Sequence, residues 1–225
     1  HIRDRSVFGT NLIDQPIMTR VVADMALDVA AATALCFRLA SAFDNAAASA
    51  EERAYQRVMT PVIKYWVCKI APSLIYEAME CLGGSGYVEE RPMARHYREA
   101  PVNAIWEGSG NVMALDVLRV LTRQRDQFEA LFAILQRDIG AAGSKTIDVL
   151  RAAIALLERD EGSARFLVEQ LALAAGAAEL IRLGAGRIAD AFLETRLAGG
   201  WRHTYGVLDA RFDARFIVNL LYPAA

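Results

Sequence analysis

Apolar residues along most of this 225-residue chain recur at steps of three and four rather than two. From about Ile17 to Phe43, Val21, Met25, Ala32, Leu35, Cys36, Leu39 and Phe43 follow one helical stripe, with Arg20, Asp24 and Asp28 on another face. Pro16 stands near the start of that helix, where proline is favoured. A small polar connection, Asn45 to Ser49, leads to a second helical region from Glu51 to Ile70. Pro61 lies inside it and Thr60 is placed to cap the downstream half, so the spacing predicts a kink or break there. Pro72 and Ser73 open a third helix through Leu82, stopped by Gly83 and Gly84. The helical pattern resumes over 111–125, 128–139, 146–159, 163–183 and 188–197, with Gly140, Gly184 and Gly186 as breaks. A Gly199-Gly200 break precedes a last helix near 208–222. No period-two strand pattern of any length occurs. The expectation is an all-α fold of antiparallel helices joined by short loops.

Composition narrows the function classes. The chain is 54% hydrophobic with only 8% aromatic residues, much of it alanine, which suits closely packed helices. A formal net charge of −2 argues against a protein that coats nucleic acid. Cys36, Cys68 and Cys81 are isolated and odd in number; without Cys/His metal spacing they read as reduced thiols, in a cytoplasmic protein with no metal site. No uninterrupted apolar run reaches membrane length, since Arg165, Glu169, Glu179 and Arg182 punctuate the Ala-rich stretch 163–183, so no membrane association is expected. The chain starts at His1 within polar sequence, which reads as a piece of a longer protein.

One interval departs from plain helix. Between Cys81 and Asn111 lie Gly83, Gly84 and Gly86, then Arg91, Arg95 and Arg98, then Glu107 between Trp106 and Gly108. Glu107 can be read in two ways: as a carboxylate desolvated by its apolar neighbours and thereby made a stronger base, or as a cap for the helix beginning near Ser109. The Gly83-Gly84-Ser85-Gly86 turn either ends a helix or offers backbone N–H groups to a phosphate or nucleotide. It is not the dinucleotide fingerprint, because the order differs and no strand precedes it. Arg5, Arg95 and Arg98 are candidates for a diphosphate or carboxylate. His96 and His203 have no partner at a useful spacing and carry no catalytic role.

Taken together and in order, RSVFG at 5–9, ADM at 23–25, LGGSGY at 82–87, YRE at 97–99 and IWEGSG at 105–110 resemble the C-terminal helical domain of the acyl-CoA dehydrogenases. The likeness covers roughly residues 1–125, and ALDVLRV at 114–120 with the long extension looks most like the AidB-type, alkylation-response branch. The resemblance implies an antiparallel four-helix bundle over 1–125, with a helical extension over 126–225 packed upon it. It implies oxidation of an acyl-CoA thioester at Cα–Cβ with FAD as cofactor, and it places Glu107 in the position of the α-proton base. Arg5 and Phe8 match residues that reach the FAD diphosphate and adenine end from a neighbouring subunit. Gly83 and Gly84 match a turn near the adenosine portion, Ser109 a residue at the diphosphate, and Asn111 one near the adenine. A homodimer or homotetramer follows from that shared site. Trp106 stands where the family usually has Tyr, which implies a narrowed acyl pocket.

The same branch is linked to DNA through a basic extension, an alternative reading in which dehydrogenase activity is slight. Residues 111–225 hold 14 basic and 14 acidic side chains, leaving no net field for phosphates. Arg187, Arg196, Arg202, Arg211 and Arg215 are interleaved with Asp190, Glu194, Asp209 and Asp213, a pattern that favours a laced ion-pair surface over DNA.

Overall fold

The computed structural model describes residues 1–197 and 211–221. A two-residue-turn hairpin, β1 (Ser6–Val7) and β2 (Thr10–Asn11), opens the chain. Phe8 and Gly9 form its turn with φ of 55° and 83°, the doubly left-handed geometry that matches strand twist. Helices then follow: α1 (Pro16–Asn45), α2 (Ala50–Cys81), α3 (Gly84–Tyr87), α4 (Pro92–Glu99), α5 (Gly110–Arg123), α6 (Arg125–Ile139), α7 (Ser144–Leu157), α8 (Ala164–Arg182), α9 (Gly186–Phe192), a π-helical turn Leu193–Leu197, and α10 (Ala214–Leu221). The fold is all-α.

The bundle is built on α1, α2 and α8. α1 packs against α2, α8 and α10; α2 packs against α5 and α6; α8 lies against α1, α2, α5, α6 and α7. α8 is buried almost throughout, from Leu167 and Val168 through Leu171–Leu180. Its alanines keep the helices close: a Cβ on Gly176 would meet the Ala31 methyl of α1 at 3.2 Å. The hydrophobic core is one cluster running from Ile13 to Val218, so residues before and after position 125 share it. Each fully buried Leu or Phe in it, such as Leu27, Leu131 or Phe192, contributes about 1.5–3 kcal/mol relative to exposure. α1 is long and apolar enough to cross a membrane by length and composition; here its apolar face is spent on α2, α8 and α10.

Three expectations are corrected. Of the kink or break expected at Pro61, the break is absent, and so is the separate helix from Pro72; both prolines lie inside one continuous 32-residue α2. The Thr60 hydroxyl bonds back to the Gln56 carbonyl at 2.6 Å instead of capping forward, and Pro61 is buried among flanking helices whose packing outweighs the lost N–H. The expected polar connection does end at Ser49, which is also the N-cap of α2: its hydroxyl accepts from the Glu52 N–H at 3.3 Å. The interval 92–99 is the helix α4, started by Pro92. The Gly83 and Gly140 stops are confirmed, with φ of 58° and 62° just past α2 and α6. The last helix runs Ala214–Leu221; positions 208–210 and 222 of the expected span, and the Gly199-Gly200 break, lie outside the described residues.

Asp24 and Asp28 of α1 are fully buried, which would be costly for unpaired carboxylates. Arg196, from the π-helical turn, answers both: Nη1 donates to Asp24 Oδ1 at 2.6 Å and Nε to Asp28 Oδ1 at 3.0 Å. Nη2 reaches the Asp24 carbonyl at 2.9 Å. Burial opposes the guanidinium charge, but Asp28 and Asp24 outweigh it and hold its pKa above the ordinary value. Removing one partner strands the other. Arg196→Met is expected to cost about 3–5 kcal/mol in urea denaturation, against at most about 1 kcal/mol for Arg151→Ala, whose partner Asp148 is exposed. Equal losses would contradict this.

Candidate functional site

The first cluster of candidate residues forms where α2 ends. Gly83 leaves the helix with φ 58°, and the chain turns through α3 with Gly86 buried against the α2 carbonyls, where a Cβ would lie 2.2 Å from Met79 O. The hairpin faces this turn. Between them is a cleft of about 640 Å³ whose walls include Arg5, Val7, Met18, Cys81, Gly83 and Gly84. The sequence candidates Arg5, Gly83 and Gly84 are therefore brought together. The Arg5 guanidinium is exposed and has no side-chain partner among the described residues. Phe8 stands apart at the hairpin tip, 95% exposed. Burial, with Glu77 and Glu80 adding to it, pushes the Cys81 thiol up to about 11, so at neutral pH it is a protonated wall residue and no nucleophile.

The second cluster is the loop between α4 and α5. After a 3-10 segment (Ala100–Ala104), Glu107 and Gly108 take φ of 52° and 112°, and Ser109 becomes the N-cap of α5. The Ser109 hydroxyl makes no cap hydrogen bond. Asn111, in the first turn of α5, is exposed. Glu107 is exposed and makes no hydrogen bond or ion pair among the described residues. Neither sequence reading of Glu107 is met within this chain: Ile105 and Trp106 are themselves exposed and do not desolvate it, and it caps nothing.

A residue overlooked in the sequence holds this loop. Lys64, halfway along α2, points its ammonium into the loop and donates to Asn103 O at 2.8 Å, Trp106 O at 2.9 Å and Gly108 O at 3.0 Å. Those last two carbonyls lie on either side of Glu107. A non-glycine residue in the left-handed region costs about 1–2 kcal/mol. Three hydrogen bonds to a charged donor, at about 1.5 kcal/mol each even on the low side, outweigh that strain. Gly108 and Gly110 then fit tightly, since added Cβ atoms would sit 2.3 Å from Met113 Cε and 2.9 Å from Lys69 Cε. The only sequence signal for Lys64 is its type: the chain has three lysines and otherwise uses arginine, and a compact ammonium fits convergent carbonyls better than a planar fork.

The two clusters are separate within the chain; the walls of the 640 Å³ cleft do not include Glu107, Ser109 or Asn111. Arg98 is committed to Glu89 in a two-armed pair, its second arm 2.9 Å long, while Arg95 is exposed. The arginines considered for DNA are also committed: Arg187 to Asp213 at 2.9 Å, Arg211 to Glu194 at 2.5 Å, Arg215 to Asp14, and Arg196 in the core. Arg202 and Asp209 lie outside the described residues. Among the described residues no cluster of His, Cys, Asp and Glu is arranged to hold a metal.

Comparison with known proteins gives the geometry its context. The family described as acyl-CoA dehydrogenase, C-terminal domain, matches residues 1–122. The chain is 41% identical over 197 residues to the "Putative acyl-CoA dehydrogenase AidB" of Escherichia coli (strain K12), covering 88% of this chain and 36% of that protein. It is 37% identical over 121 residues to acyl-CoA dehydrogenase family member 11 of Caenorhabditis elegans, covering 52% of this chain and 20% of that protein. Among solved structures, the apo form of Bd2924 aligns with a TM-score of 0.73 at 29% identity, covering 80% of this chain and 36% of the other. The Caenorhabditis elegans ACDH-11 complex with C11-CoA aligns over 99% of this chain and 43% of its own, with a TM-score of 0.76 at 24% identity, a likeness of fold. The chain thus spans about a third of the AidB relative's length. With more than half of its residues matched to that domain, the chain belongs to the acyl-CoA dehydrogenase family.

Proposed function

We propose that the chain is the C-terminal part of an FAD-dependent, acyl-CoA dehydrogenase-like oxidoreductase in which Glu107 removes the α-proton of an acyl-CoA thioester. The observation that carries this reading is the state of Glu107: a carboxylate with no partner, held in a left-handed conformation by carbonyls clamped on both sides. Its oxygens make no cap and no ion pair among the described residues, so they are open to a ligand.

The residues present fit an FAD. Gly83 needs its positive φ and Gly86 needs its missing Cβ, but Gly84 needs neither: a Cβ there meets nothing within 4 Å and its φ is ordinary. A flat glycine surface beside an unpaired Arg5 suits close approach of a diphosphate-bearing nucleotide. At the other cluster, the free Ser109 hydroxyl and the N-terminus of α5 suit a phosphate oxygen, and Asn111 a base edge. Arg5 and Phe8 would serve a second subunit's cofactor, in a homodimer or homotetramer. FAD, when bound, supplies a two-electron acceptor for the hydrogen at Cβ. Glu107 takes the α-proton: the Cα–H bond breaks, a carboxyl O–H forms, and the electron pair left at Cα becomes half of the Cα=Cβ bond. Trp106, exposed beside Glu107, would face the acyl chain and limit its bulk. The alkylation-response reading, with DNA as partner, finds less support, because Arg187, Arg211 and Arg215 are neutralised by their own acidic neighbours.

Three outcomes are expected. In the flavin-loaded holoprotein, mixing with an acyl-CoA bleaches the flavin absorbance, and Glu107→Gln slows this by about 10²–10⁴-fold; unchanged bleaching would sink the assignment, and a salt-steep shift of duplex DNA without bleaching would favour the other reading. The 225-residue chain alone is expected to hold little FAD, since Glu107 and the cleft are open to solvent here; near-stoichiometric flavin after purification would contradict that. Gly84→Ala is expected to change the chain's stability by no more than about 0.5 kcal/mol while weakening FAD binding by the holoprotein, whereas Gly86→Ala costs more than about 1 kcal/mol in thermal denaturation.

A further inference from the structure

Lys64 is absorbed by neither the core nor the proposed chemistry, and we infer that it is the positioning residue of the candidate base. The inference rests on Glu107 being that base. Lys64 is half-buried in mid-α2 and has no carboxylate partner among the described residues; its Nζ is turned wholly to Asn103, Trp106 and Gly108 carbonyls. The ammonium therefore joins two elements that differ in rigidity. α2 is packed along its length against α1, α5, α6 and α8, while the 103–108 stretch is at the surface with few hydrogen bonds of its own, Ile105 N–H and Trp106 N–H donating to Val102 O at 2.9 and 3.1 Å.

The geometry of the clamp determines what it controls. Trp106 O belongs to the peptide unit entering Glu107, and Gly108 O to the one leaving Gly108. Fixing both ends leaves the four backbone torsions of residues 107 and 108 little freedom, and these torsions set the direction in which the Glu107 side chain leaves the backbone. Gly108, with φ 112°, closes the turn, and its Cα face is filled by the Met113 Sδ–Cε end. Lys64 is thus placed to set the direction of Glu107 without touching substrate. An ammonium has three donors in a tripod, one for each carbonyl; a guanidinium is planar and would serve two of the three at best.

The test has two readouts. In the labelled chain, Lys64→Met is expected to speed hydrogen exchange at the Ile105 and Trp106 amides by about ten-fold or more, with the core amides of α1 and α8 unchanged. Lys64→Arg gives an intermediate rate. In the holoprotein, Lys64→Met lowers kcat for flavin reduction by about 10²-fold with KM for acyl-CoA changed less than about three-fold, and Lys64→Arg restores part of kcat. Unchanged exchange at residues 105 and 106 overturns the clamp. Faster exchange with undiminished kcat overturns the positioning role. A loss of KM and kcat together, with core amides also exchanging faster, assigns Lys64 to stability alone and overturns it too. Full activity in Glu107→Gln is a distinct failure: it removes the base reading, and the exchange result still reports on the clamp.

Discussion

The continuity of α2 is the constraint on which the rest of the molecule depends. Ala50–Cys81 runs unbroken through two prolines, and both candidate clusters hang from it. Lys64 near its middle holds the loop of Glu107, and its last turn delivers Gly83, Gly84 and the cleft wall at Cys81. A helix rises about 1.5 Å per residue, so the seventeen steps from Lys64 to Cys81 set the clusters roughly 25 Å apart along one continuous helix. A break at Pro72, which lies between them, would make that separation adjustable. The surrounding helices prevent it: α1, α5, α6 and α8 pack along its length.

The packing that keeps α2 continuous depends in turn on α8, from beyond the family-matched region. Its alanines and Gly176 let α1 approach closely, and its buried face completes the core that α1, α2 and α5 begin. The π-helical turn after α9 then returns Arg196 to Asp24 and Asp28. Such a pair adds little net stability compared with apolar residues of the same size, but it tolerates no partial change. It therefore ties the distal part of the chain to one register on α1.

Much of this was legible in the sequence and the remainder has identifiable causes. The three-and-four spacing placed α1, α5, α6, α7 and α8, because apolar stripes report the core-facing side directly. Gly83 and Gly140 marked true stops, since both need a positive φ. Pro61 and Pro72 misled, because the cost of a missing N–H is local while the packing that offsets it is not. Lys64 was invisible, since three carbonyls from residues 103–108 converge on it only after folding. Arg196 was read with a surface set, and its partners lie 172 and 168 positions away. Arg5, Gly83 and Gly84, far apart in the sequence, line one cleft. Glu107 looked enclosed by Ile105 and Trp106, yet a turn at φ 52° sets all three at the surface.

The central claim is that this solvent-facing, clamped carboxylate is the group that moves the α-proton. Deuterium uptake at Cα is the direct measure of it: the holoprotein is incubated with an acyl-CoA in heavy water without an electron acceptor, and the thioester is recovered for mass analysis. The account predicts label at Cα with the native protein and none above background with Glu107→Gln. Equal labelling by the two proteins would contradict it.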